Sequence, residues 1–377
     1  MNLITKKNHI QQTLNLTDLE IIPSPVLENY RNIQEFTFGW DQAGNNAVGH
    51  YSRKGKGNHP IIPCQTDKKS SYLAIRVSQK VLEWITNNLD GPNKLPIMDK
   101  DNVTGVWRHI RIKENYRGDY MLILTMLLND DVFMCRWAEE QLNLIKFLQT
   151  QLPDNKLCSA YYQPSTGIKS CSRPTDPHYQ FFYSQDLIMY IEKFKFKRSP
   201  SSFFQPNIYT ARIIYDLVRD MTKYVKPDTL LDICCGTGTI GIYLSKQFRV
   251  IYGIDRTHSA IQDSIDNAKL NQVKANCNYY AGDAEHVLPI LVKNKGLQDT
   301  DLVAVVNPPR RGLYPPVIRA LNSCKQLKTL IYVSCNVVAL DRDLKDLNLN
   351  QIEKCVAVDQ FPGTTHCEVI VKLTSKR

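Results

Sequence analysis

The segment at 229–241, TLLDICCGTGTIG, limits the possible folds of this chain more than any other segment. It begins with a short apolar run that has the length of a buried parallel strand. Gly236 and Gly238 then turn the chain, and a helix-period pattern starts at Ile240. A strand, a glycine turn and a helix in this order let backbone approach a nucleoside ligand closely. The segment therefore predicts an α/β domain with a ligand at the turn.

Two acidic residues accompany the turn. Asp255 ends the next apolar run, VIYGID, at 255 − 238 = 17 residues after Gly238. A carboxylate at the end of the second strand is placed to hold two ribose hydroxyls. Asp232 lies four residues before the first glycine, where it either orients the turn or meets an amino group of the ligand. Because the glycines with Gly241 also spell G-x-G-x-x-G, a dinucleotide site is one alternative, and an ordinary tight turn is another.

In the second half of the chain, segments with a strand-like hydrophobic pattern alternate with segments that have a helix-like one. Strands are predicted at 229–235, 249–255, 275–281, 301–307 and 329–335, and helices at 240–247, 258–271, 284–295, 315–324 and 339–348. Two further strands, at 355–361 and 367–373, are close enough to pair as a hairpin. Five βα units followed by a hairpin are typical of the seven-stranded, Rossmann-like sheet of methyltransferases that use S-adenosyl-L-methionine, rather than of a NAD domain. We assign this domain to 203–377.

The first half has a different organisation. Residues 1–18 are expected to form a loose, flexible tail. The segment 19–202 is expected to be an α+β region. In it, strands are predicted around Phe36 and at 48–51, two strands within 105–126, and strand-like pieces at 158–163, 178–183 and 193–196. Helices are predicted at 73–89 and 131–152.

Composition narrows the class of protein. The net charge of +10 favours a polyanionic partner only mildly. The 11 cysteines include no C-x-x-C pair, which argues against a zinc knuckle or an iron–sulfur site. No apolar run approaches the ~18 residues of a membrane span. We expect reduced thiols in an intracellular compartment, with cytoplasm, nucleus and mitochondrion left open.

Three polar segments lie where predicted strands end, which is where open α/β sheets bind ligands. They are Asn307-Pro-Pro-Arg310, Ser334-Cys335-Asn336 and His366-Cys367-Glu368. Cys335 ends a strand just before a helix, and N–H groups at a helix start lower the pKa of a thiol. We interpret it as a nucleophile, against the alternative of a buried small apolar residue. Cys234, Cys235 and Cys367 are also near the predicted site and remain rival nucleophiles.

From about Leu19 to its C-terminus the chain resembles the tRNA (uracil-5-)-methyltransferase family, in its eukaryotic branch. The motifs that carry the resemblance are SPVLENYRN at 24–32, WRHIRIKENYRGDYMLIL at 107–124, RSPSSFFQPN at 198–207, LLDICCGTGTIG at 230–241, NPPRRGL at 307–313, YVSCN at 332–336 and DQFPGTTHCE at 359–368. The resemblance implies S-adenosyl-L-methionine-dependent methylation of C5 of a uridine in RNA, most often the T-loop uridine of tRNA.

The resemblance also implies roles for individual residues. Cys335 is the nucleophile that attacks C6 of the uracil, and Glu368 is the base that removes the C5 proton. Asn307 and Arg310 fall at substrate positions, although the family commonly has Asp where Asn307 stands. The residues that match cofactor positions are Gln205, Asp232, Cys234, Gly236, Gly238, Thr239, Asp255, Asp283 and Asn307. No metal and no iron–sulfur cluster is implied.

The partner implied is RNA, bound by the 19–202 region of a monomer, with the target base flipped out of its stack. Tyr30, Phe36, Trp107 and Arg108 are candidates for RNA contact, although a role in the core is favoured for each. Three other functions stay open. The chain could methylate uridine in ribosomal RNA, methylate an amino group as other Asn-Pro-Pro enzymes do, or act as a tRNA chaperone without catalysis.

Overall fold

The computed structural model describes residues 2–52, 59–88, 95–99, 102–128, 131–165, 179–223, 225 and 228–374. The ends predicted at residue 89 for a helix and at residue 178 for a strand lie outside these ranges. The chain divides into two compact units. One unit combines Met1–Leu27 with Tyr190–Arg377, and the other is Glu28–Met189.

The N-terminal segment differs from the prediction of a loose tail. It forms helix α1 (Leu3–Leu14) and strand β1 (Glu20–Ile22). The Asn2 side chain caps α1 by accepting a hydrogen bond from the Thr5 N–H at 2.9 Å. Ile10 and Leu14, four residues apart, are buried in the core of the C-terminal sheet. Packing of this narrow apolar stripe, rather than a strong helical pattern, orders the segment.

The unit Glu28–Met189 is α+β, as predicted. Its elements are β2 (Ile33–Trp40), β3 (Asn46–Tyr51), β4 (Ile61–Pro63), α2 (Tyr72–Asn87), β5 (Trp107–Glu114), β6 (Tyr120–Met126), α3 (Asp131–Gln151), β7 (Leu157–Pro164) and β8 (Gln180–Ser184). They build a seven-stranded sheet in the order β4-β3-β2-β5-β6-β7-β8. Strands β6 and β7 are parallel and are joined by α3, whereas the other neighbours are antiparallel.

Aromatic side chains fill the core of this unit. The Trp107 ring meets the rings of Trp84 and Trp137 edge-on, with centroids 6.0 and 5.5 Å apart. Phe36 and Tyr30 are also almost fully buried. Trp107, Phe36 and Tyr30 therefore support the fold and are not surfaces for RNA.

Strand β9 (Leu187–Ile191) crosses the boundary between the two units. It forms a two-stranded sheet with β10 (Phe194–Arg198), and α4 (Ile208–Thr222) follows in the unit that holds Tyr190–Arg377. The large sheet and its helices follow as β11 (Thr229–Ile233), α5 (Thr239–Leu244), β12 (Val250–Asp255), α6 (His258–Leu270), β13 (Cys277–Ala281), α7 (Ala284–Asn294), β14 (Leu302–Val306), α8 (Pro315–Ser323), β15 (Leu327–Ser334), α9 (Val337–Asp346), β16 (Gln351–Val358) and β17 (Glu368–Thr374). The predicted five βα units and terminal hairpin are confirmed.

The large sheet has eight strands, in the order β1-β16-β17-β15-β14-β11-β12-β13. The eighth is β1, which pairs in parallel with β16 and was not predicted. Strand β17 is antiparallel to both of its neighbours, and the other neighbouring pairs are parallel. The strand order reverses at β11, which lies between β12 and β14, so the carboxyl ends of these strands border a ligand crevice. Because β17 runs the opposite way, its first residue, Glu368, lies at that same edge.

Within the described ranges, no helix combines the length and the apolar character that crossing a membrane requires.

Candidate active site

The glycine turn after β11 contains three residues in the left-handed backbone conformation. Cys234, Gly236 and Gly238 have φ values of +60°, +54° and +75°. A Cβ atom added at Gly236 would meet nothing within 4 Å, so the turn faces open space there. A Cβ at Gly238 would lie 2.6 Å from the Tyr279 hydroxyl, so only glycine fits. Cys234 adopts a left-handed conformation that is unfavourable for a side chain, which is common at functional turns.

Asp255 and Asp232 support this turn from two sides. The Asp255 carboxylate accepts hydrogen bonds from the N–H groups of Gly236 and Thr257, both at 2.9 Å. The Asp232 carboxyl accepts one from the Gly241 N–H at 2.9 Å and is fully buried. Its second oxygen, Oδ1, has no hydrogen-bond partner among the described residues. Burial, together with the nearby Asp255 charge, raises the pKa of Asp232 to about 7.

A cavity of about 630 Å³ opens beside the turn, within the size range of sites for small ligands. Its lining residues are Cys234, Ile254, Asp255, Arg256, Thr257, Gly282, Asp283, Ala284, Glu285, Pro309, Arg310, Arg311, Tyr314 and Val317. Four residues predicted from the sequence, Cys234, Asp255, Asp283 and Arg310, therefore share one cavity. Ligand atoms of Asp283, Glu285 and His286 lie within 4.8 Å of one another, but exposed acidic groups often cluster without a metal.

Gln205, Thr239 and Asn307 do not line this cavity. The buried Gln205 side chain accepts a hydrogen bond from the Gln360 amide at 2.7 Å. The Thr239 hydroxyl accepts one from the Tyr215 hydroxyl at 3.1 Å. Asn307 follows β14, and its N–H donates to the Ile233 carbonyl at 3.4 Å. The structure thus places Thr239 and Asn307 beside the glycine turn and Gln205 against the 359–366 segment, all three outside the cavity lining.

Cys335 and Glu368 meet across β15 and β17. Ser334, the last residue of β15, is paired with Val369 in the antiparallel register. Cys335 follows Ser334 and Glu368 precedes Val369, so both residues lie at the same end of this strand pair. The Glu368 side chain is almost fully buried, and Cys335 is half-buried. The expected nucleophile and the expected base are therefore neighbours at the ligand edge of the sheet.

The environment of this pair differs from the prediction. Burial raises the pKa of Glu368 to about 8. Burial, and then the charge of Glu368, raise the pKa of the Cys335 thiol to about 11, while the charge and hydrogen bonding of Arg310 act in the opposite direction. The expected lowered pKa is therefore not found: a backbone N–H at Cys335 acts in the lowering direction, but burial outweighs it. The Asn336 side chain accepts the N–H groups of Val338 and Ala339 at 3.1 and 3.5 Å, so these donors at the start of α9 are already used.

The loop after β14 carries Arg310 and is tied to α9. The Asn336 amide donates to the Arg310 carbonyl at 3.0 Å, and the Arg342 guanidinium donates to the Arg311 carbonyl at 2.8 Å. The buried Asp343 carboxylate accepts the Leu313 N–H at 2.7 Å. These contacts place Arg310 both at the cavity and beside the Cys335 thiol.

Comparison with known proteins identifies the family. Residues 179–376, more than half of the chain, match the family model described as tRNA (Uracil-5-)-methyltransferase. The chain belongs to the tRNA (uracil-5-)-methyltransferase family. It is therefore an RNA (uracil-5-)-methyltransferase, which confirms the resemblance stated from the motifs.

Relatives extend this match over nearly the whole chain. The tRNA (uracil-5-)-methyltransferase homolog B of Mus musculus is 32% identical over 94% of this chain and 73% of its own length. The homolog B of Danio rerio is 34% identical over 95% of this chain and 76% of its own length. The tRNA (uracil-54, C5)-methyltransferase of Pyrococcus abyssi, solved in complex with S-adenosyl-L-homocysteine, has a TM-score of 0.74 at 23% identity, covering 98% of this chain and 82% of that chain. The last comparison shows the shared fold.

Three rival cysteines of this methyltransferase are less favourably placed than Cys335. Cys235 and Cys367 are buried. Cys234 lines the cavity, but burial and the charges of Asp255 and Asp232 raise the pKa of its thiol to about 12. Arg310 lowers the pKa of the Cys335 thiol against the effect of burial, whereas no arginine has this effect on Cys235 or Cys367.

Sequence reasoning missed several residues that shape the methyltransferase site. Lys6, Arg342 and Asp343 contact the site's loops from positions outside the quoted motifs, and no local pattern indicates them. Asn207 is different, because an Asn directly before an apolar helical pattern is a recognisable N-cap. Its side chain accepts the N–H groups of Tyr209 and Thr210 at the start of α4.

Proposed function

We propose that this enzyme methylates C5 of a uridine in tRNA, with S-adenosyl-L-methionine as methyl donor and a covalent bond between Cys335 and C6 of the base. The observation that carries the proposal is the juxtaposition of Cys335 with Glu368, beside an arginine that also lines the cavity. Methylation of an amino group needs no cysteine, so this pair favours carbon methylation over the alternative.

The cofactor fits the residues around the glycine turn. The open space at Gly236 lets backbone approach a ligand, and Asp255 lies at the end of β12, where a carboxylate holds ribose hydroxyls. The unpartnered oxygen of buried Asp232 leaves a polar atom available beside the turn. S-adenosyl-L-methionine, when bound, supplies an electrophilic methyl group. The homologue from Pyrococcus abyssi supports this choice, because it was solved with S-adenosyl-L-homocysteine.

Cys335 has to activate the base, since C5 of uracil is a poor nucleophile. Its thiolate sulfur forms a bond to C6, and the electron pair of the C5–C6 double bond moves to give an enolate at C4. C5 of the enolate would then take the methyl group, and the electron pair of the broken sulfur–methyl bond would stay on sulfur, so that S-adenosyl-L-homocysteine leaves. Arg310 stabilises the thiolate by charge and hydrogen bonding, which offsets part of the effect of burial.

Glu368 completes the reaction as the base. Its carboxylate removes the proton from C5, the C–H electron pair re-forms the C5–C6 double bond, and the bond between Sγ and C6 breaks to return the thiolate. A pKa of about 8 suits this role, because a general base works best when its pKa is near the working pH. Asn307 is proposed to contact the uracil edge, since an amide offers both a donor and an acceptor.

The proposed partner is tRNA. The family and its named relatives support tRNA, and the net charge of +10 is compatible with a polyanion. We assign RNA binding to the Glu28–Met189 unit, and we expect the target base to be flipped into the site.

The test is methylation of purified RNA. The full chain is incubated with S-adenosyl-L-methionine and an unmodified tRNA transcript, and nucleosides are quantified by mass spectrometry. We expect 5-methyluridine, and none from a matched transcript in which cytidine replaces the T-loop uridine. Product from ribosomal RNA alone would replace tRNA by rRNA as substrate. A nitrogen-methylated product, or tRNA annealing without methylation, would overturn the proposal in favour of the amino-group enzyme or the chaperone.

A further inference from the structure

Lys6, on helix α1, is a buried cation with a complete set of partners. Its side chain is 1% exposed, and its ammonium lies 2.5 Å from the Asp359 carboxylate. The same ammonium donates to the carbonyls of Phe361 and His366 at 3.1 and 3.0 Å. An ammonium has three N–H donors, so every donor is used. Burial of a charge is costly unless the charge is paired in this way. The buried ammonium of Lys6 therefore depends on these three acceptors.

The three acceptors of Lys6 belong to one segment, 359–366, which joins β16 to β17. Asp359 follows the last residue of β16, Phe361 lies two residues further on, and His366 ends the segment. Glu368 begins β17 two residues after His366. A single ammonium therefore ties together the chain that leads directly to Glu368.

The same segment is held on a second side through Gln360. This residue is fully buried, and its amide donates to the Gln205 side chain at 2.7 Å. Its side-chain oxygen accepts the Thr210 hydroxyl, and its carbonyl accepts the Asn207 amide at 3.4 Å. The backbone before Glu368 is thus anchored by α1 on one side and by the segment that starts α4 on the other.

The Glu368 carboxyl itself has no such anchor. Within the described residues, burial alone raises its pKa, and no hydrogen bond acts on the carboxyl. Its position is therefore set by its own backbone and by packing. A displacement of the 359–366 segment therefore shifts the backbone that carries Glu368, and no hydrogen bond at the carboxyl opposes that shift.

We propose that Lys6 is a positioning residue for Glu368, and that its ammonium holds the 359–366 segment so that the carboxylate reaches the C5 proton. This inference rests on the proposed function. It predicts that loss of Lys6 slows the release step, in which Glu368 acts, more than the formation of the adduct by Cys335. A role of Lys6 in stability alone would instead lower the amount of active enzyme and reduce all steps together.

The experiment compares Lys6→Met with Lys7→Met, a substitution on the same helix at a more exposed lysine whose ammonium is 3.7 Å from Asp18. Because Lys6→Met leaves a buried carboxylate unpaired, the double variant Lys6→Met, Asp359→Asn is included to remove both charges. Each protein reacts with labelled tRNA in a single turnover. Denaturing gels measure the RNA-linked protein, mass spectrometry measures the methyl group, and calorimetry measures affinity for S-adenosyl-L-homocysteine.

We expect both Lys6 variants to bind the cofactor product normally and to form methylated adduct at the wild-type rate. Release should slow ~10- to 100-fold, as small displacements of a catalytic group commonly do, so that RNA-linked protein accumulates. Lys7→Met should behave as wild type. Release at the wild-type rate in the Lys6 variants would overturn the inference. It would also be overturned if cofactor binding, adduct formation and release all fell equally.

A Glu368→Gln control separates this inference from the function on which it rests. RNA-linked protein in Glu368→Gln, but not in the Lys6 variants, overturns the inference alone. Absence of RNA-linked protein and of product in every variant and in the wild type overturns the proposed function.

Discussion

Cys335 and Glu368 lie one residue beyond the Ser334–Val369 pair, at the same end of two neighbouring antiparallel strands. The Glu368 charge is one cause of the raised pKa of Cys335, so ionisation of one group opposes ionisation of the other. The proposed mechanism uses the two groups in succession: Cys335 attacks as a thiolate, and Glu368 later accepts a proton. Because the two groups act in different steps, variants of each residue and the pH dependence of each step distinguish their roles.

The first prediction separates the roles of these two residues. Glu368→Gln keeps the shape of the side chain but removes the base, so it should methylate RNA and then remain attached to it. Denaturing electrophoresis should show a protein–RNA band for Glu368→Gln. The band should be absent from Cys335→Ala and from the double variant. A band that survives the loss of Cys335 would identify Cys234, Cys235 or Cys367 as the nucleophile.

The second prediction concerns pH. Glu368 must be ionised to accept the C5 proton, and its pKa is raised to about 8. The rate of release should therefore rise with pH up to about 8 and then level off. Adduct formation should continue to rise above pH 8, because the pKa of Cys335 is about 11. Rapid-quench measurements between pH 6 and 9.5 test this, and a release rate independent of pH would argue against Glu368 as the base.

The third prediction concerns Arg310. Its charge and hydrogen bond lower the pKa of Cys335 against the effect of burial. Arg310→Ala should raise this pKa further and slow adduct formation ~10-fold at neutral pH, for a shift of about one pKa unit. The deficit should shrink at higher pH, where more thiolate forms. Arg319→Ala, at an exposed position on α8, is the control, and an equal deficit at all pH values would point to RNA binding instead.

The fourth prediction concerns the cofactor. Asp255 lines the cavity and also accepts the Gly236 and Thr257 N–H groups. Asp255→Ala should weaken S-adenosyl-L-methionine binding by ~1–3 kcal/mol, because hydrogen-bonding groups lose their partner. Asp301→Ala, at an exposed side chain just before β14, should bind normally. Calorimetry with unchanged affinity for Asp255→Ala would remove this residue from the site.

The fifth prediction concerns stability. Burial raises the pKa values of Asp232 to about 7 and of Glu368 to about 8, from ordinary values near 4. Both groups bind protons more tightly in the folded protein, so the free energy of unfolding should fall as the pH rises from about 4 to 8. Glu368→Gln removes one of these groups and should reduce the fall by roughly 1–3 kcal/mol. Urea titrations of both proteins at pH 5 and 8 measure this difference.

The sequence by itself determined the architecture of the C-terminal unit. Continuous apolar runs such as LVAVV at β14 predict parallel strands covered on both faces, and all five residues of that strand are buried. The glycine turn and Asp255 were identified in the same way, because a strand, a turn and a helix that follow one another are a local pattern. The motifs that surround Cys335 and Glu368 were also local, and they sufficed to indicate the family.

Only the tertiary structure decided how distant residues act on the site. The contact between Lys6 and Asp359 joins residues more than 350 positions apart, and no periodicity encodes such a pair. The sequence also suggested a lowered pKa for Cys335, because a helix start follows it. In the folded protein the Asn336 side chain takes up N–H groups of that helix start, and burial then dominates. Burial and long-range partners arise from packing of the whole chain, and a local pattern cannot contain them.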